Sequence, residues 1–158
     1  MQAPPARLAD TFGNASYATT FAAFSPLRLF SAIESNVTRV AFFLPGGGEL
    51  PAVTSGFGAV FSDVDQQNGA SASTSATRGR EQHRGRVSSG RTANCSTGRK
   101  CRRLRARPPS PFFGIVFDDA RIARVKIVAG DVAPGPNDGK KDIVVMDDFI
   151  YGSREVVR

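Results

Sequence analysis

The chain lacks tryptophan, and its 158 residues include one histidine, two cysteines and two tyrosines. The histidine, His83, lies in a basic run, so a Ser/His/Asp or Cys/His catalytic set would have to be built there. Cys95 and Cys101 together with that histidine do not make a zinc set. Tyr17 and Tyr151 alone are a weak basis for a stacking platform for sugars, although a polar loop could still bind carbohydrate. We therefore predict neither enzymatic activity nor a cofactor.

Long hydrophobic runs are also missing. No apolar run approaches the roughly 18 residues that indicate a membrane-spanning helix, so no membrane span is predicted. The N-terminal stretch MQAPPARLADTFGNAS has no charged segment followed by an apolar core, so we expect no signal peptide in this chain. On the chain alone, the expected location is cytoplasmic or undetermined.

The positive charge is distributed unevenly. The net charge is +7, but residues 66–111 hold eleven Arg and Lys against one acid, and the rest of the chain holds ten against thirteen. The basicity therefore belongs to one segment. That segment contains only two large aliphatic residues, Val87 and Leu104, and no aromatic residue. Because so little apolar surface cannot offset the entropy of ordering, we predict that residues 66–111 are disordered.

Outside this segment the sequence predicts β-strands rich in β-branched and aromatic residues. In GFGAVFSDVD, large and small residues alternate, which predicts a strand with one buried face. In ARIARVKIVAG, Arg124 and Lys126 alternate with apolar residues, which predicts a sheet with one solvated face. The predicted strands lie in residues 36–44, 51–65, 112–117, 120–130 and 142–151.

These patterns predict a single all-β domain, an antiparallel β-sandwich or jelly-roll that is incomplete and carries a disordered basic insert. Turn residues interrupt the N-terminal region, which is predicted to form short extended pieces and no helix. The predicted organisation is an irregular N-terminal remnant at 1–35, sandwich parts at 36–65 and 112–152, the disordered Arg/Ser/Gly-rich segment at 66–111 between them, and a tail at 153–158.

Three islands, NVTRVAFFLPG, GFGAVFSDVD and FFGIVFDDARIARVKIVAGD with DIVVMDDFIYG, together resemble a family of uncharacterised bacterial extracellular β-sandwich domains. The resemblance covers residues 12–65 and 112–152. It implies a jelly-roll-like fold and an extracellular or cell-surface module that is structural or binds a ligand without catalysis. The ligand is left open, with a carbohydrate or another cell-surface component among the candidates.

The family has a strand hairpin after DVD, where this chain has its Arg/Ser/Gly run. We therefore predict a truncated member in which residues 66–110 are an out-of-frame translation of that hairpin. Because the missing hairpin would leave open strand edges and exposed apolar faces, the resemblance also predicts marginal folding and aggregation.

The alternative function is non-specific nucleic-acid binding through residues 78–107. Arginines and lysines bind polyanions by releasing counterions, but no aromatic residue is interleaved here for stacking on bases. The candidate contacts are Arg78, Arg80, Arg84, Arg86, Arg99, Lys100, Arg102, Arg103, Arg105 and Arg107.

Aspartates at strand ends and in loops are candidate ligands for calcium, which prefers carboxylate and carbonyl oxygens. The same residue type is common in turns, so turn formation is the alternative. The candidates are Asp63, Asp65, Asp138 and Asp142.

Asp147 and Asp148 are consecutive on a predicted strand, so their side chains should point to opposite faces and one should point inward. A buried carboxylate needs partners. We expect a structural role in which the partner is a backbone N–H of a neighbouring turn, or Arg121 or Arg124. A third functional hypothesis is a carboxylate-based hydrolase that uses Asp63, Asp65, Asp147 and Asp148.

Overall fold

A computed structural model of the chain describes residues 2–25, 28–46, 48–64, 70–75, 82–87, 112–118, 122–136, 139 and 141–156. The described residues form antiparallel strands and two short helices, which confirms the predicted all-β class. A jelly-roll order of the strands stays a prediction. In chain order the elements are β1 (Gln2–Ala3), α1 (Pro5–Phe12), α2 (Tyr17–Thr20), β2 (Leu29–Phe30), β3 (Val37–Ala41), β4 (Ala52–Thr54), β5 (Gly56–Ser62), β6 (Ala70–Ser75), β7 (Gln82–Val87), β8 (Phe112–Val116), β9 (Arg124–Ala129), β10 (Val145–Tyr151) and β11 (Arg154–Val156).

Most of these strands form two sheets that share one core. The first sheet has the order β1-β2-β10-β5-β8, and the second has the order β3-β9-β6-β7. Large side chains from both sheets are fully buried in the main cluster, including Phe61, Phe113 and Met146 of the first sheet and Val125 and Ile127 of the second. Each such side chain stabilises the fold by about 1.5–3 kcal/mol, so face-to-face packing of the sheets holds the molecule together.

β4 and β11 pair with each other and form a third, two-stranded sheet. The C-terminal residues were predicted as a tail, and this is wrong at Arg154–Val156, which pairs with Ala52–Thr54. The Arg154 guanidinium lies 5.5 Å from the centre of the Tyr151 ring and donates a hydrogen bond to the Phe43 carbonyl oxygen (3.3 Å). Cation–π and hydrogen-bond contacts therefore anchor this end of the described chain.

The N-terminal region contains the two helices, so the prediction of an irregular remnant without helix is wrong. α1 begins with proline at its first position and ends at Gly13, whose φ of 67° is the left-handed conformation that glycine tolerates. α2 contributes Tyr17 to a second buried apolar cluster, where Tyr17 packs with Leu8, Leu29 and Val145. The Tyr17 hydroxyl also bonds the backbone of Gly135 at 3.1 and 3.2 Å. Both helices are shorter than the span over which helical periodicity is readable, which explains the error.

β5 is buried along all seven residues, so the prediction of one buried face is wrong as well. Its inner face meets the main core. Its other face is covered by the N-terminal region, where the backbone N–H of Ala22 donates to the Ser62 hydroxyl (3.0 Å), and by the Phe112 ring. A Cβ on Gly58 would lie 2.5 Å from that ring and 3.0 Å from the Phe113 carbonyl oxygen, so glycine allows the ring to approach the strand this closely.

The predicted disorder of residues 66–111 is wrong at Ala70–Ser75 and Gln82–Val87, which are β6 and β7. β6 pairs with β9 on one side and with β7 on the other. Its residues Ala70, Ala72 and Thr74 are buried, because small side chains fit where the two sheets approach each other. The resemblance implies a hairpin at this point of the chain, and β6 and β7 are antiparallel neighbours there. The remainder of the segment lies outside the described residues.

No helix within the described ranges is long and apolar enough to cross a membrane.

Candidate anion-binding groove

The outward face of the second sheet carries the candidate site. Along β9, Val125 and Ile127 are buried against the core, and the alternate residues Arg124 and Lys126 are exposed. This alternation confirms the predicted solvated face, because successive side chains of a strand point to opposite sides of the sheet.

The basic groove lies across three adjacent strands of this sheet. Its walls are residues 39–41 of β3, 73–75 of β6 and 124–126 of β9, and its volume is about 340 Å³. On the outward face, Arg39 and Ala41 of β3 and Ser73 and Ser75 of β6 lie on either side of Arg124 and Lys126 of β9. Strand register therefore brings these positions together.

Register brings like charges together in the basic groove. Arg39 is directly opposite Lys126, which in turn is directly opposite Ser73. Neighbouring strands are about 4.8 Å apart. Like charges directly opposite each other in an antiparallel pair are destabilising, so the fold holds these two cations together at an electrostatic cost.

No acidic residue offsets this charge among the described residues that line the basic groove. Within the same described part of the chain, no hydrogen bond or ion pair joins Arg39, Arg124 or Lys126 to another side chain. The hydroxyls of Ser73 and Ser75 add hydrogen-bond donors beside the three cations. Guanidinium, ammonium and hydroxyl groups together are suited to carboxylate, sulfate or phosphate oxygens.

The structure places the predicted inward carboxylate at Asp147, which is 5 % exposed. Its Oδ2 accepts hydrogen bonds from the backbone N–H groups of Phe24 and Ser25, and its Oδ1 accepts one from the Ser25 hydroxyl (3.0 Å). Backbone N–H groups are therefore its partners in the described structure. A register shift in β10 between Met146 and Phe149 lets Asp148 reach the same Ser25 hydroxyl at 2.8 Å.

The aspartates predicted for calcium are only partly described. Asp63 follows β5 with a φ of 63°, and Asp142 is buried. The backbone of Asp142 bonds Asp131 twice, through the Asp131 N–H (2.8 Å) and through Asp131 Oδ2 (3.3 Å). Asp65 and Asp138 lie outside the described residues. Among the residues that are described, no three His, Cys, Asp or Glu side chains are grouped so as to hold a metal ion.

Of the ten residues predicted to contact nucleic acid, two have a described backbone position. Arg84 and Arg86 lie on β7, directly opposite Ser73 and Ser71 of β6. The other eight lie outside the described residues, as does Arg121.

The sequence patterns do not single out Arg39, Lys126 and the serines of β6 as a site. The outward alternation of β9 was readable, but its neighbours in the sheet were not. The small and polar residues of ASASTS do not form a hydrophobic pattern that predicts a strand. The pairing of β6 with β9, which brings Ser73 beside Lys126, could therefore not be predicted from the sequence.

Comparison of the chain with protein-family models, with curated proteins and with solved structures finds no match.

Proposed function

We propose that this chain is a non-catalytic ligand-binding β-sandwich module and that its basic groove binds an anionic ligand. The observation that carries the proposal is the grouping of Arg39, Arg124 and Lys126 without an acidic neighbour among the described lining residues. The extracellular placement of the module is part of the proposal and comes from the family resemblance.

The composition of the basic groove supports binding rather than catalysis. Its described lining contains no carboxylate, histidine or cysteine. A serine becomes a nucleophile when a neighbouring base takes its proton, and a lysine serves as that base when it is buried. Lys126, which is opposite Ser73, is exposed.

Non-specific nucleic-acid binding through residues 78–107 is the second candidate, because Arg84 and Arg86 lie on the strand next to β6. Single-stranded nucleic acids are usually bound with aromatic side chains that stack on the bases. No aromatic residue is present in the described lining of the basic groove. We therefore favour an anionic ligand that needs no stacking.

The test is an NMR titration of the full chain with inorganic phosphate. The wild type should show shifts of backbone amides in residues 39–41, 73–75 and 124–126 that follow one binding curve. Changing Arg39→Ala and Lys126→Ala together should weaken the affinity at least about tenfold, because a charge-assisted hydrogen bond contributes about 1.5–3 kcal/mol.

A control variant, Arg7→Ala with Arg28→Ala, removes the same charge from two exposed arginines outside the groove lining. It should bind phosphate like the wild type. The proposal fails if this control loses as much affinity as the groove variant. It also fails if binding is lost instead on neutralising Arg102, Arg103 and Arg105, since the basic segment would then be the binding element.

A further inference from the structure

β3 lies at the edge of the second sheet, next to the basic groove. Among the described strands it pairs with β9 alone, so its other side has no partner strand there. A strand in this position presents backbone N–H and C=O groups on its unpaired side. Arg39 and Ala41 of β3 are both exposed. The edge is therefore accessible at these two residues.

The hydrogen bonds between β3 and β9 show which backbone groups face the unpaired side. The N–H of Ala129 donates to the Asn36 carbonyl oxygen (2.8 Å), one residue before β3 begins. Hydrogen-bonded and non-hydrogen-bonded pairs alternate along an antiparallel ladder. The backbone groups of Val37, Arg39 and Ala41 therefore point away from β9.

One of these three residues is already capped. The Ser35 hydroxyl accepts a hydrogen bond from the Val37 N–H (3.0 Å) and donates one to the Val37 carbonyl oxygen (3.4 Å). Within the described part of the chain, no hydrogen bond engages the outward backbone groups of Arg39 or Ala41. We call the N–H and C=O groups of Arg39 and Ala41 the open edge.

The charge beside the open edge selects the side chains of a strand that would pair with it. Directly opposite residues of paired strands point to the same face, so a residue opposite Arg39 would share the outward face with it. Lys126 lies on the other side of Arg39, and no acidic residue is present in the described lining of the groove. A carboxylate opposite Arg39 would pair with its guanidinium and offset the repulsion from Lys126.

We propose that an extended acidic peptide segment of a partner protein adds to β3 as an antiparallel strand, with hydrogen bonds to the open edge and a carboxylate beside Arg39. This inference rests on the proposed function, since it names the class of anionic ligand that the basic groove binds. In strand addition, main-chain hydrogen bonds provide affinity and alternate side chains provide specificity. The backbone groups of the open edge, repeated after about 7 Å, match the spacing of an extended peptide.

A second copy of the chain fits the open edge less well. In the two registers that pair Arg39 with an open-edge residue of the second copy, the two Arg39 side chains lie directly opposite or diagonal to each other. Like charges in such positions repel. An acidic partner brings the opposite charge to the same position, so charge complementarity favours it.

The experiment measures the affinity of the full chain for a capped peptide of about seven residues, a usual strand length, in which aspartate and valine alternate. Alternation puts all its carboxylates on one face. A peptide with serine in place of aspartate should bind at least about tenfold more weakly, because the charge-assisted hydrogen bond to Arg39 is lost. A peptide with lysine in place of aspartate should not bind.

Two N-methylated forms of the acidic peptide test the strand geometry with an unchanged protein. In an antiparallel hydrogen-bonded pair, the two residues exchange both N–H···O bonds, so the aspartate opposite Arg39 uses its own N–H. Methylation of the aspartate amide nitrogens should weaken binding at least about tenfold. Methylation of the valine amide nitrogens, which face solvent, should leave the affinity unchanged. Equal affinities of the two methylated peptides would overturn strand addition.

Ala41→Pro tests the open edge from the side of the protein. It removes one outward N–H and no hydrogen bond to β9, which is where an edge strand tolerates proline. Peptide affinity should fall at least about tenfold and phosphate affinity should stay unchanged, which also shows that the variant is folded. If phosphate affinity is lost as well, the methylated peptides on the wild type decide.

The remaining outcomes separate the two proposals. Phosphate binding at the basic groove without binding of the acidic peptide refutes the strand addition and leaves the proposed function in place. Absence of both refutes both. A concentration-dependent dimer in analytical ultracentrifugation that is lost in Ala41→Pro would overturn the inference too, because it assigns the open edge to a second copy of the chain.

Discussion

At the scale of single residues, Asp147 joins the N-terminal region to β10. Three donors from Phe24 and Ser25 converge on its buried carboxylate. Asp147→Asn removes the negative charge that strengthens these hydrogen bonds and leaves one acceptor oxygen in place of two. We expect the free energy of unfolding to fall by about 1–3 kcal/mol, because hydrogen bonds to a charged group contribute more than those between neutral groups.

The matched control is Asp148→Asn, because Asp148 is only half-buried and accepts a hydrogen bond from the Ser25 hydroxyl alone. It should lower stability by less than half as much in urea denaturation. Equal losses in the two variants would show that the hydrogen bonds from the backbone N–H groups of Phe24 and Ser25 to Asp147 contribute little to stability.

Two threonines whose hydroxyl groups are buried give a second residue-scale prediction. Within the described structure the Thr38 hydroxyl is buried without a hydrogen-bond partner, whereas the Thr54 hydroxyl bonds both O (3.1 Å) and N (3.4 Å) of Gly56. Thr38→Val should raise the free energy of unfolding by up to about 1 kcal/mol, since it removes an unsatisfied polar group. Thr54→Val should lower it by about 1–2 kcal/mol.

Urea denaturation of both variants against the wild type checks this pair. A loss of stability for Thr38→Val as large as that for Thr54→Val would mean that the Thr38 hydroxyl has a partner after all.

At the scale of elements, β6 connects the core to the basic groove. Ala72 is 2 % exposed and faces the main cluster, and the next residue, Ser73, faces the groove. Ala72→Asp should destabilise the protein by about 3–5 kcal/mol, because it buries a charge without a partner. Ser73→Asp should change stability by less than about 1 kcal/mol, since the new carboxylate lies opposite Lys126.

Thermal unfolding of both variants, followed by circular dichroism, measures the difference. Ser73→Asp should in addition abolish phosphate binding, because it places a negative charge in the basic groove. If both substitutions are tolerated equally in stability, Ala72 does not face the core and the assigned alternation of β6 is wrong.

The elements differ in how far sequence alone could predict them. β5, β8, β9 and β10 contain large β-branched or aromatic residues in readable patterns, and their assignment was confirmed. β6 contains only Ala, Ser and Thr, so its sequence has no hydrophobic pattern that predicts a strand. Its alternate residues are buried by packing between the two sheets, and this packing cannot be inferred from the local sequence. α1 and α2 are too short for helical periodicity to stand out, and packing against Leu29 and Val145 stabilises them.

The candidate site was predictable only in part for the same reason. The exposed positions of Arg124 and Lys126 follow from the alternation of a single strand. The approach of Arg39 and Ser73 to Lys126 depends on pairings between strands that are far apart in the sequence. Asp147 was predicted as a structural carboxylate because it is next to another aspartate on a strand. Its partners, Phe24 and Ser25, could not be predicted, because they depend on the packing of the N-terminal region against β10.

At the scale of the whole molecule, the core and the binding face are separate. The two sheets and the helices bury the apolar clusters, and the basic groove lies on the opposite side of the second sheet. Neutralising Lys126 by Lys126→Met should therefore not unfold the protein. We expect its free energy of unfolding to rise by up to about 0.5 kcal/mol at low salt, because the repulsion from Arg39 is relieved.

This gain should disappear at high salt, which screens exposed charges. Urea denaturation at two ionic strengths, with Arg7→Met as the control outside the groove, measures both effects. A loss of several kcal/mol for Lys126→Met would show that the groove residues support the core.

The basic groove depends on β6 being an inner strand of the second sheet. Amide hydrogen exchange resolved by residue tests this most directly. Because β6 pairs with β9 and with β7, the amides of Ala70–Ser75 should be protected to a similar degree as those of Arg124–Ala129. Exchange of Ala70–Ser75 at the rate of an unstructured peptide, with Arg124–Ala129 still protected, would contradict both the assigned sheet and the basic groove.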